Sequence, residues 1–223
     1  MDVLPDHTRR FLAATAPEHT PVQAAMAELA DEWGFPIIGP EAGAVLRLLA
    51  RLTDAERVFE FGSVFGYSAT WFLRGGADRV ICTEFDEAEA DRGVEFATEH
   101  GHADAVRFEV GDAMTTIDRY EGPFDVVLVD HDKRRYADAY RAVLPKVRQG
   151  GVIVADNVAR GPVDVADVIA HVVDGESLSD DADGHLRGIV TYVRTVLDDD
   201  AVETVMLPVG SGIAVSTVVG GSG

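Results

Sequence analysis

From Arg57 onward the chain alternates short apolar runs with longer amphipathic segments, and no other feature limits the possible folds as much. Strands that are buried on both faces and alternate with helices form a doubly wound, mostly parallel sheet. We therefore predict an α/β fold. The predicted strands cover residues 57–61, 79–85, 106–110, 124–129 and 151–155. The segment 86–101 opens with acids and ends in glycine, which favours a helix.

The two ends of the chain complete this Rossmann-like prediction. Helical apolar spacing recurs before residue 56, over 5–16, 21–33 and 41–52. After a predicted helix at 184–198, two β-prone runs flank Pro208 and the glycines that follow it, which indicates an antiparallel hairpin. We expect a seven-stranded sheet in a single domain, 1–223. Within this domain we expect N-terminal helices over 1–55, the α/β core that contains the sheet over 56–219, and a disordered tail over 220–223.

The charge and cysteine content exclude several classes of protein. The net charge is −20, which repels nucleic acid and anionic membranes, and no apolar run is long enough to span a bilayer. The acids are spread along the chain, as in proteins of salt-loving microbes, and only Lys133 and Lys146 are lysines. The N-terminus lacks the apolar core of a signal peptide, so we expect a cytoplasmic protein. The single cysteine, Cys82, excludes an intrachain disulfide and is expected to be buried and inert.

A glycine loop follows the first predicted strand and opens a helix. Gly62 and Gly66 permit a tight turn and a close ligand, but their spacing is not the G-x-G-x-x-G of a dinucleotide site. Glu60 lies in an apolar strand, where an unpaired carboxylate is costly. Glu84 ends the second strand, where an acid can accept hydrogen bonds from ribose hydroxyls. Asp112, after the third strand, is either a helix cap or part of an adenine site.

Polar residues end the fourth and fifth strands. Asp130 follows "FDVVLV", and Asp156 and Asn157 follow "GVIVA". Ligands bind beyond the carboxyl ends of parallel strands, so these oxygens can converge on Mg²⁺, Ca²⁺ or Mn²⁺. The alternative is a pair of capped turns. Lys133 is either a base beside this site or a surface lysine at a helix start, a position that favours acids over cations.

These motifs resemble those of class I S-adenosylmethionine-dependent methyltransferases. The segments "VDHDKRRY" and "GGVIVADNV" narrow the resemblance, over about residues 36–216, to the caffeoyl-CoA and catechol O-methyltransferase-like family. The resemblance implies a homodimer that binds S-adenosyl-L-methionine and a divalent cation, most simply Mg²⁺. It implies a metal site of Asp130, Asp156 and Asn157. The implied cofactor residues are Glu60, Gly62, Val64, Gly66, Ser68, Glu84, Phe85, Asp112, Ala113, Asp130 and His131.

The implied reaction methylates a hydroxyl group of a small aromatic acceptor, either catechol-type or phenylpropanoid-type. Lys133 and Asp130 are the predicted catalytic residues, with Lys133 as general base. His131 either faces the cofactor or packs at the strand end. The simplest interpretation of the three residues after Lys133 is a solvated helix turn, formed by Arg134, Arg135 and Tyr136.

Some positions depart from the family pattern, namely Asp132, Arg160, Tyr192-Val193 and Ser211-Gly212. These positions are expected near the acceptor pocket. The resemblance therefore supports the predicted cofactor site better than the predicted acceptor site. Arg160 would favour an anionic acceptor, or else pair with a surface acid. The first 40 residues, including Trp33, Phe35 and Ile38, either cover the acceptor site or form a dimer contact. The competing functions are a non-catalytic S-adenosylmethionine-binding protein and a nicotinamide-dependent oxidoreductase; nucleic-acid methylation has less support.

Overall fold

Seven strands form one sheet in the computed structural model, which describes residues 4–220. They are β1 Arg57–Phe61, β2 Arg79–Glu84, β3 Val106–Val110, β4 Phe124–Val129, β5 Val147–Ala155, β6 Val202–Leu207 and β7 Ile213–Val218. The strand order is β3-β2-β1-β4-β5-β7-β6. Strands β1 to β5 pair in parallel, whereas β7 runs antiparallel to both β5 and β6. The predicted fold class, including the C-terminal hairpin, is confirmed.

The helices begin and end where capping residues favour it. They are α1 Asp6–Thr15, α2 Pro21–Trp33, α3 Gly39–Leu52, α4 Tyr67–Gly75, α5 Glu87–Glu99, α6 Ala113–Thr116, α7 Tyr136–Val143, α8 Val165–Val172 and α9 Gly184–Asp198. Thr20 and Gln23 form a capping box at the start of α2, and Gly34 ends that helix with φ 72°. Asp86 caps α5 by accepting hydrogen bonds from two backbone N–H groups.

The sequence prediction differs from the structure in three details. Strand β5 begins at Val147 rather than residue 151, because Val147 pairs with Phe124 ahead of a register shift. Helices α6 and α8 were not predicted; both are short, and Asp112 and Asp164 cap them. Residues 221–223 of the predicted tail lie outside the described residues.

The sheet separates two hydrophobic layers, as the fold requires. Phe59 and Phe61 of β1 point to the layer formed with α6 to α9, whereas Val58 points to the layer formed with α2 to α5. The central strand β4 is buried along its whole length. Among residues 4–220, no helix is long and apolar enough to cross a membrane. Because both faces are covered, ligands can reach the sheet only at its strand ends.

Candidate active site

A cavity of about 700 Å³ lies beyond the carboxyl ends of β1 to β5. Its volume falls within the range of small-molecule sites. The cavity is lined by most of the predicted site residues, namely Gly62, Val64, Glu84, Phe85, Asp112, Ala113, Asp130, His131, Lys133, Asp156 and Asn157. Glu60, Gly66 and Ser68, which were predicted to contact the cofactor, do not line it. Glu60 lies in β1, Gly66 caps the start of α4, and Ser68 lies in the first turn of that helix.

Glu60 is fully buried beneath the glycine loop and supports it from below. Its Oε2 atom accepts hydrogen bonds from Ser63 Oγ at 2.8 Å and from Cys82 Sγ at 3.4 Å, while Oε1 has no partner. Burial raises the pKa of Glu60 to about 7, against the opposing effect of its hydrogen bonds from Ser63 and Cys82. Cys82 is buried as predicted, and burial raises the pKa of its thiol.

The glycines of the loop are required by packing as well as by conformation. Gly62 has φ 81°, and an added Cβ would lie 3.0 Å from the carbonyl oxygen of Asp130. Gly66 has φ 84°, and an added Cβ would lie 2.9 Å from the Phe108 ring. The predicted tight turn is therefore present. At Gly66 the close neighbour is an aromatic side chain of β3.

Val64, at the tip of this loop, has an unusual backbone conformation. Its φ is 48°, a region that β-branched residues rarely occupy. The Val64 N–H donates a hydrogen bond of 2.7 Å to Oε2 of Glu84, and the other oxygen of Glu84 accepts from the N–H groups of Phe85 and Asp86. The acid that ends β2 therefore holds the loop after β1 in place while lining the cavity.

The other end of the cavity is built by the loops after β4 and β5. Lys133 Nζ donates to Asp130 Oδ1 at 2.8 Å, and its side chain is 11% exposed. The hydroxyl of Tyr136 donates to Asp130 Oδ1 at 3.4 Å and to the carbonyl oxygen of Asp156 at 3.2 Å. These bonds tie the two strand ends together. Burial raises the pKa values of Asp130 and Asp156, against the opposing charge of Lys133, and the charge of Asp130 raises the pKa of Asp156 further.

The side chains at this end of the cavity offer oxygen ligands, which are the ligands that a hard divalent cation prefers. Asp156 is 3% exposed, and its Oδ1 atom has no hydrogen-bond partner. A buried carboxylate oxygen without a partner is costly unless a proton or a cation compensates for it. Asn157, with φ 59°, lines the same cavity. Among residues 4–220, no group of three or more His, Cys, Asp or Glu side chains is arranged to hold a metal ion. The predicted metal site is of a different kind, because it consists of two carboxylates and the side-chain amide of Asn157.

His131 lies between these two ends. Its ring stacks on Tyr136 with centroids 5.7 Å apart and is 5.2 Å from Phe61. Burial, together with the charges of Arg135 and Lys133, lowers its pKa to about 4, and neither ring nitrogen has a hydrogen-bond partner. The ring is therefore neutral near pH 7 and forms part of the cavity wall.

The structure corrects several interpretations of the sequence. Tyr136 is not part of a solvated turn, because it is fully buried. Lys133 is not a surface lysine, since it is buried against Asp130. Asp112 caps α6 and also lines the cavity, so the helix cap is present and its part in an adenine site stays a prediction. Arg135 also lines the cavity rather than belonging to a solvated turn.

The positions that depart from the family pattern are dispersed. Asp132 and Ser211 line the strand-end cavity, as does Ile38 of the N-terminal region, whereas Arg160 lines a second cavity of about 500 Å³ formed with α1. Tyr192 and Val193 are buried in the core, where Tyr192 packs edge-on against Tyr136. Thr83 was not predicted. It lines the cavity, and its hydroxyl bridges the Glu60 carbonyl and the Gly62 N–H.

Comparisons with known proteins identify the family of this chain. A family model described as O-methyltransferase matches residues 23–218. The chain is 35% identical over 162 residues to a catechol O-methyltransferase of Mycobacterium tuberculosis, covering 70% of this chain and 74% of that protein. It is 32% identical to tricin synthase 2 of Oryza sativa subsp. japonica over 81% of this chain, but spans only 63% of the length of that relative.

Solved structures give the same result for the fold. The cofactor-bound protein Rv0187 from MTB superposes with a TM-score of 0.81 at 27% identity, covering 97% of this chain and 98% of that one. An O-methyltransferase from Bacillus cereus in complex with SAH has a TM-score of 0.79 at 24% identity, covering 95% of this chain and 97% of that one. Fold and cavity together define an α/β methyltransferase. The chain belongs to the class I S-adenosylmethionine-dependent O-methyltransferase family, which rules out the nicotinamide-dependent oxidoreductase.

Proposed function

We propose that this protein is a divalent-cation-assisted O-methyltransferase that acts on a small hydroxylated aromatic acceptor of the catechol or phenylpropanoid type. The observation that carries the proposal is that a buried lysine, a buried acid, a partly buried acid and an amide line one end of the strand-end cavity. A non-catalytic cofactor-binding protein would have no need for this costly arrangement.

The cofactor residues occupy the opposite side of the cavity. S-adenosylmethionine supplies the methyl group, carried on its sulfonium. Glu84 offers carboxylate oxygens at the end of β2, suited to ribose hydroxyls. Asp112 and Ala113 lie beside it, and the neutral ring of His131 provides an apolar surface near the centre. These residues would bind the cofactor and orient it for transfer of its methyl group.

The residues that would activate the acceptor hydroxyl follow strands β4 and β5. Asp130, Asp156 and Asn157 would hold the cation, most simply Mg²⁺, which would stabilise the ionised form of the acceptor hydroxyl. Lys133 Nζ would accept the proton of that hydroxyl, and Asp130 positions the nitrogen through their 2.8 Å contact. The acceptor oxygen would then attack the methyl carbon in line as the bond to sulfur breaks. The protein contributes mainly positioning and electrostatics.

The test is methyl transfer from labelled S-adenosylmethionine to a panel of catechols and phenylpropanoid catechols, with Mg²⁺ or with chelator. We expect methylated product only when the cation is present, and full recovery when Mg²⁺ is restored. Binding of the cofactor without product from any acceptor would support the non-catalytic alternative. Product formation that chelator does not affect would refute the role of the cation.

The proposal also covers the salt concentration at which the protein functions and its oligomeric state. The dispersed acidic surface, with a net charge of −20, supports function at high salt, where ions screen the repulsion between acids. The family resemblance supports a homodimer, and the negative charge argues against a nucleic-acid or membrane partner. Light scattering and thermal unfolding from 0.1 to 3 M KCl would test both, with a dimer mass and rising stability as the expected results.

A further inference from the structure

An ion pair closes the cofactor end of the cavity by joining two loops. Arg135 Nη1 lies 3.0 Å from both carboxylate oxygens of Asp112. Asp112 follows β3, and Arg135 closes the short helical turn after β4 that also carries Lys133. Both partners line the cavity, and their side chains are 39% and 40% exposed. The pair is therefore part of the wall that a bound nucleoside meets.

The two oxygens of Asp112 are held in different ways. Oδ1 accepts from the Met114 N–H at 2.9 Å and caps α6, so the backbone would hold it without help. Arg135 is the one hydrogen-bond donor that the described residues give to Oδ2. The plane of the carboxylate, and the direction of its remaining lone pairs, therefore depend on Arg135. Each oxygen of an ionised carboxylate accepts about two hydrogen bonds, so Oδ2 retains capacity for a ligand.

The neighbouring residues indicate which part of a ligand would lie there. Glu84 is placed for the ribose hydroxyls, and the base attached to that ribose would continue toward Phe85, Asp112 and Ala113, which border the same end of the cavity. Adenine carries an exocyclic amine that donates hydrogen bonds, and an oriented carboxylate is a suitable acceptor. Hypoxanthine has a carbonyl oxygen at the same position, which a carboxylate would repel.

We propose that Arg135 is a positioning residue that orients the Asp112 carboxylate to accept a hydrogen bond from the adenine amine. The inference rests on the proposed cofactor site, and it adds a residue that selects the base. Arg135 acts through Asp112 rather than by touching the reacting atoms. It should affect cofactor binding and base selectivity, and leave the methyl-transfer step unchanged.

The test compares S-adenosylhomocysteine with S-inosylhomocysteine, which lacks the exocyclic amine, by calorimetry. The wild type should prefer S-adenosylhomocysteine. Arg135→Ala should weaken S-adenosylhomocysteine binding about tenfold, as expected for a charged hydrogen-bond acceptor that loses its orientation, and S-inosylhomocysteine binding less than about twofold. The KM for S-adenosylmethionine should rise by a similar factor with little change in kcat. Arg135→Lys, which keeps a donor, should recover part of the selectivity.

The matched control is Arg141→Ala, which removes another exposed arginine–aspartate pair, to Asp138 at 3.1 Å on α7, away from the cavity. It should change neither affinity. Asp112→Asn, which weakens the acceptor, should lose the same selectivity as Arg135→Ala. Equal weakening of both ligands by Arg135→Ala, or no weakening of either, would overturn the inference while leaving the proposed function intact. A wild type that fails to bind S-adenosylhomocysteine would overturn both.

Discussion

The Nζ atom of Lys133 lies 2.8 Å from Oδ1 of Asp130, and both residues belong to the segment between β4 and α7. Lys133 also lies over the ring of Tyr136, 5.1 Å from its centroid. The lysine is thus held between a carboxylate and an aromatic face at the cavity wall. A nitrogen fixed in this way needs little reorganisation before it accepts a proton.

Lys133→Ala should lower kcat by roughly 100-fold or more, the usual contribution of a positioned general base. The affinity for S-adenosylhomocysteine should change little, because Glu84, Asp112 and Ala113, which would hold the adenosyl group, lie at the other end of the cavity. Steady-state kinetics at saturating cation, with calorimetry for binding, would measure both. The control is Lys146→Ala, which removes the other lysine of the chain; its ammonium donates to the carbonyl groups of Ile117 and Tyr120. Equal kcat values for the two variants would contradict a catalytic role for Lys133.

Asp156→Asn should raise the Mg²⁺ concentration needed for half-maximal activity by about tenfold or more. The substitution keeps the volume of the side chain but removes the charge of a carboxylate whose Oδ1 atom has no other partner. Cation titrations of activity, supported by direct calorimetry with Mg²⁺, would provide the measurement. Asp167→Asn, on the exposed side of α8, removes the same charge far from β5 and serves as control. An unchanged Mg²⁺ dependence in Asp156→Asn would remove this residue from the metal site.

Sequence reasoning found the residues whose roles follow from their place at a strand end. Asp130, Asp156 and Asn157 each come directly after a recognisable buried strand. In a parallel sheet the ends of such strands share one edge, so their convergence did not require knowledge of side-chain contacts. Glu84 and Asp112 were identified in the same way.

The residues that sequence reasoning misread depend on contacts between distant segments. Tyr136 looked solvated because it follows three charged residues, yet its hydroxyl reaches Asp156, 20 positions away. The positive φ of Val64 is maintained by Glu84 from the next strand, and no local pattern predicts it. Arg135 acquires its role only when the loops after β3 and β4 come together. These features arise from tertiary packing, which a one-dimensional pattern does not encode.

Acceptors that carry a carboxylate should have a lower KM than uncharged catechol, and the difference should shrink at high salt. The second cavity, lined by Arg9, Arg10 and Arg160, borders the first through Gly210 and Ser211. Arg160→Gln should raise the KM for 3,4-dihydroxybenzoate several-fold and leave the KM for catechol unchanged, because only the former presents a charge. Initial-rate measurements with the two acceptors provide the comparison. Equal effects on both would assign Arg160 to structure rather than to acceptor selection.

The stability of the cofactor-free protein should depend on pH through Glu60. Its pKa rises from the ordinary 4.5 to about 7 on burial, so the folded protein binds this proton more tightly than the unfolded chain does. The stabilising contribution is therefore fully present below about pH 4.5, declines as the pH increases, and is lost as the pH passes through about 7. At higher pH the buried carboxylate must be ionised without a partner for Oε1.

Glu60→Gln removes this titration and nearly preserves the shape of the side chain. The free energy of unfolding of the variant, relative to the wild type, should increase by roughly 3 kcal/mol between pH 4.5 and pH 7.5, the value that corresponds to the shift in pKa. Urea unfolding at constant high salt, followed by fluorescence at several pH values, would measure it. A poorly placed amide would lower the free energy of unfolding of the variant by the same amount at every pH. Such a constant difference is distinct from the expected change with pH. A difference that stays flat across this window would show that Glu60 is already ionised in the folded protein near pH 5.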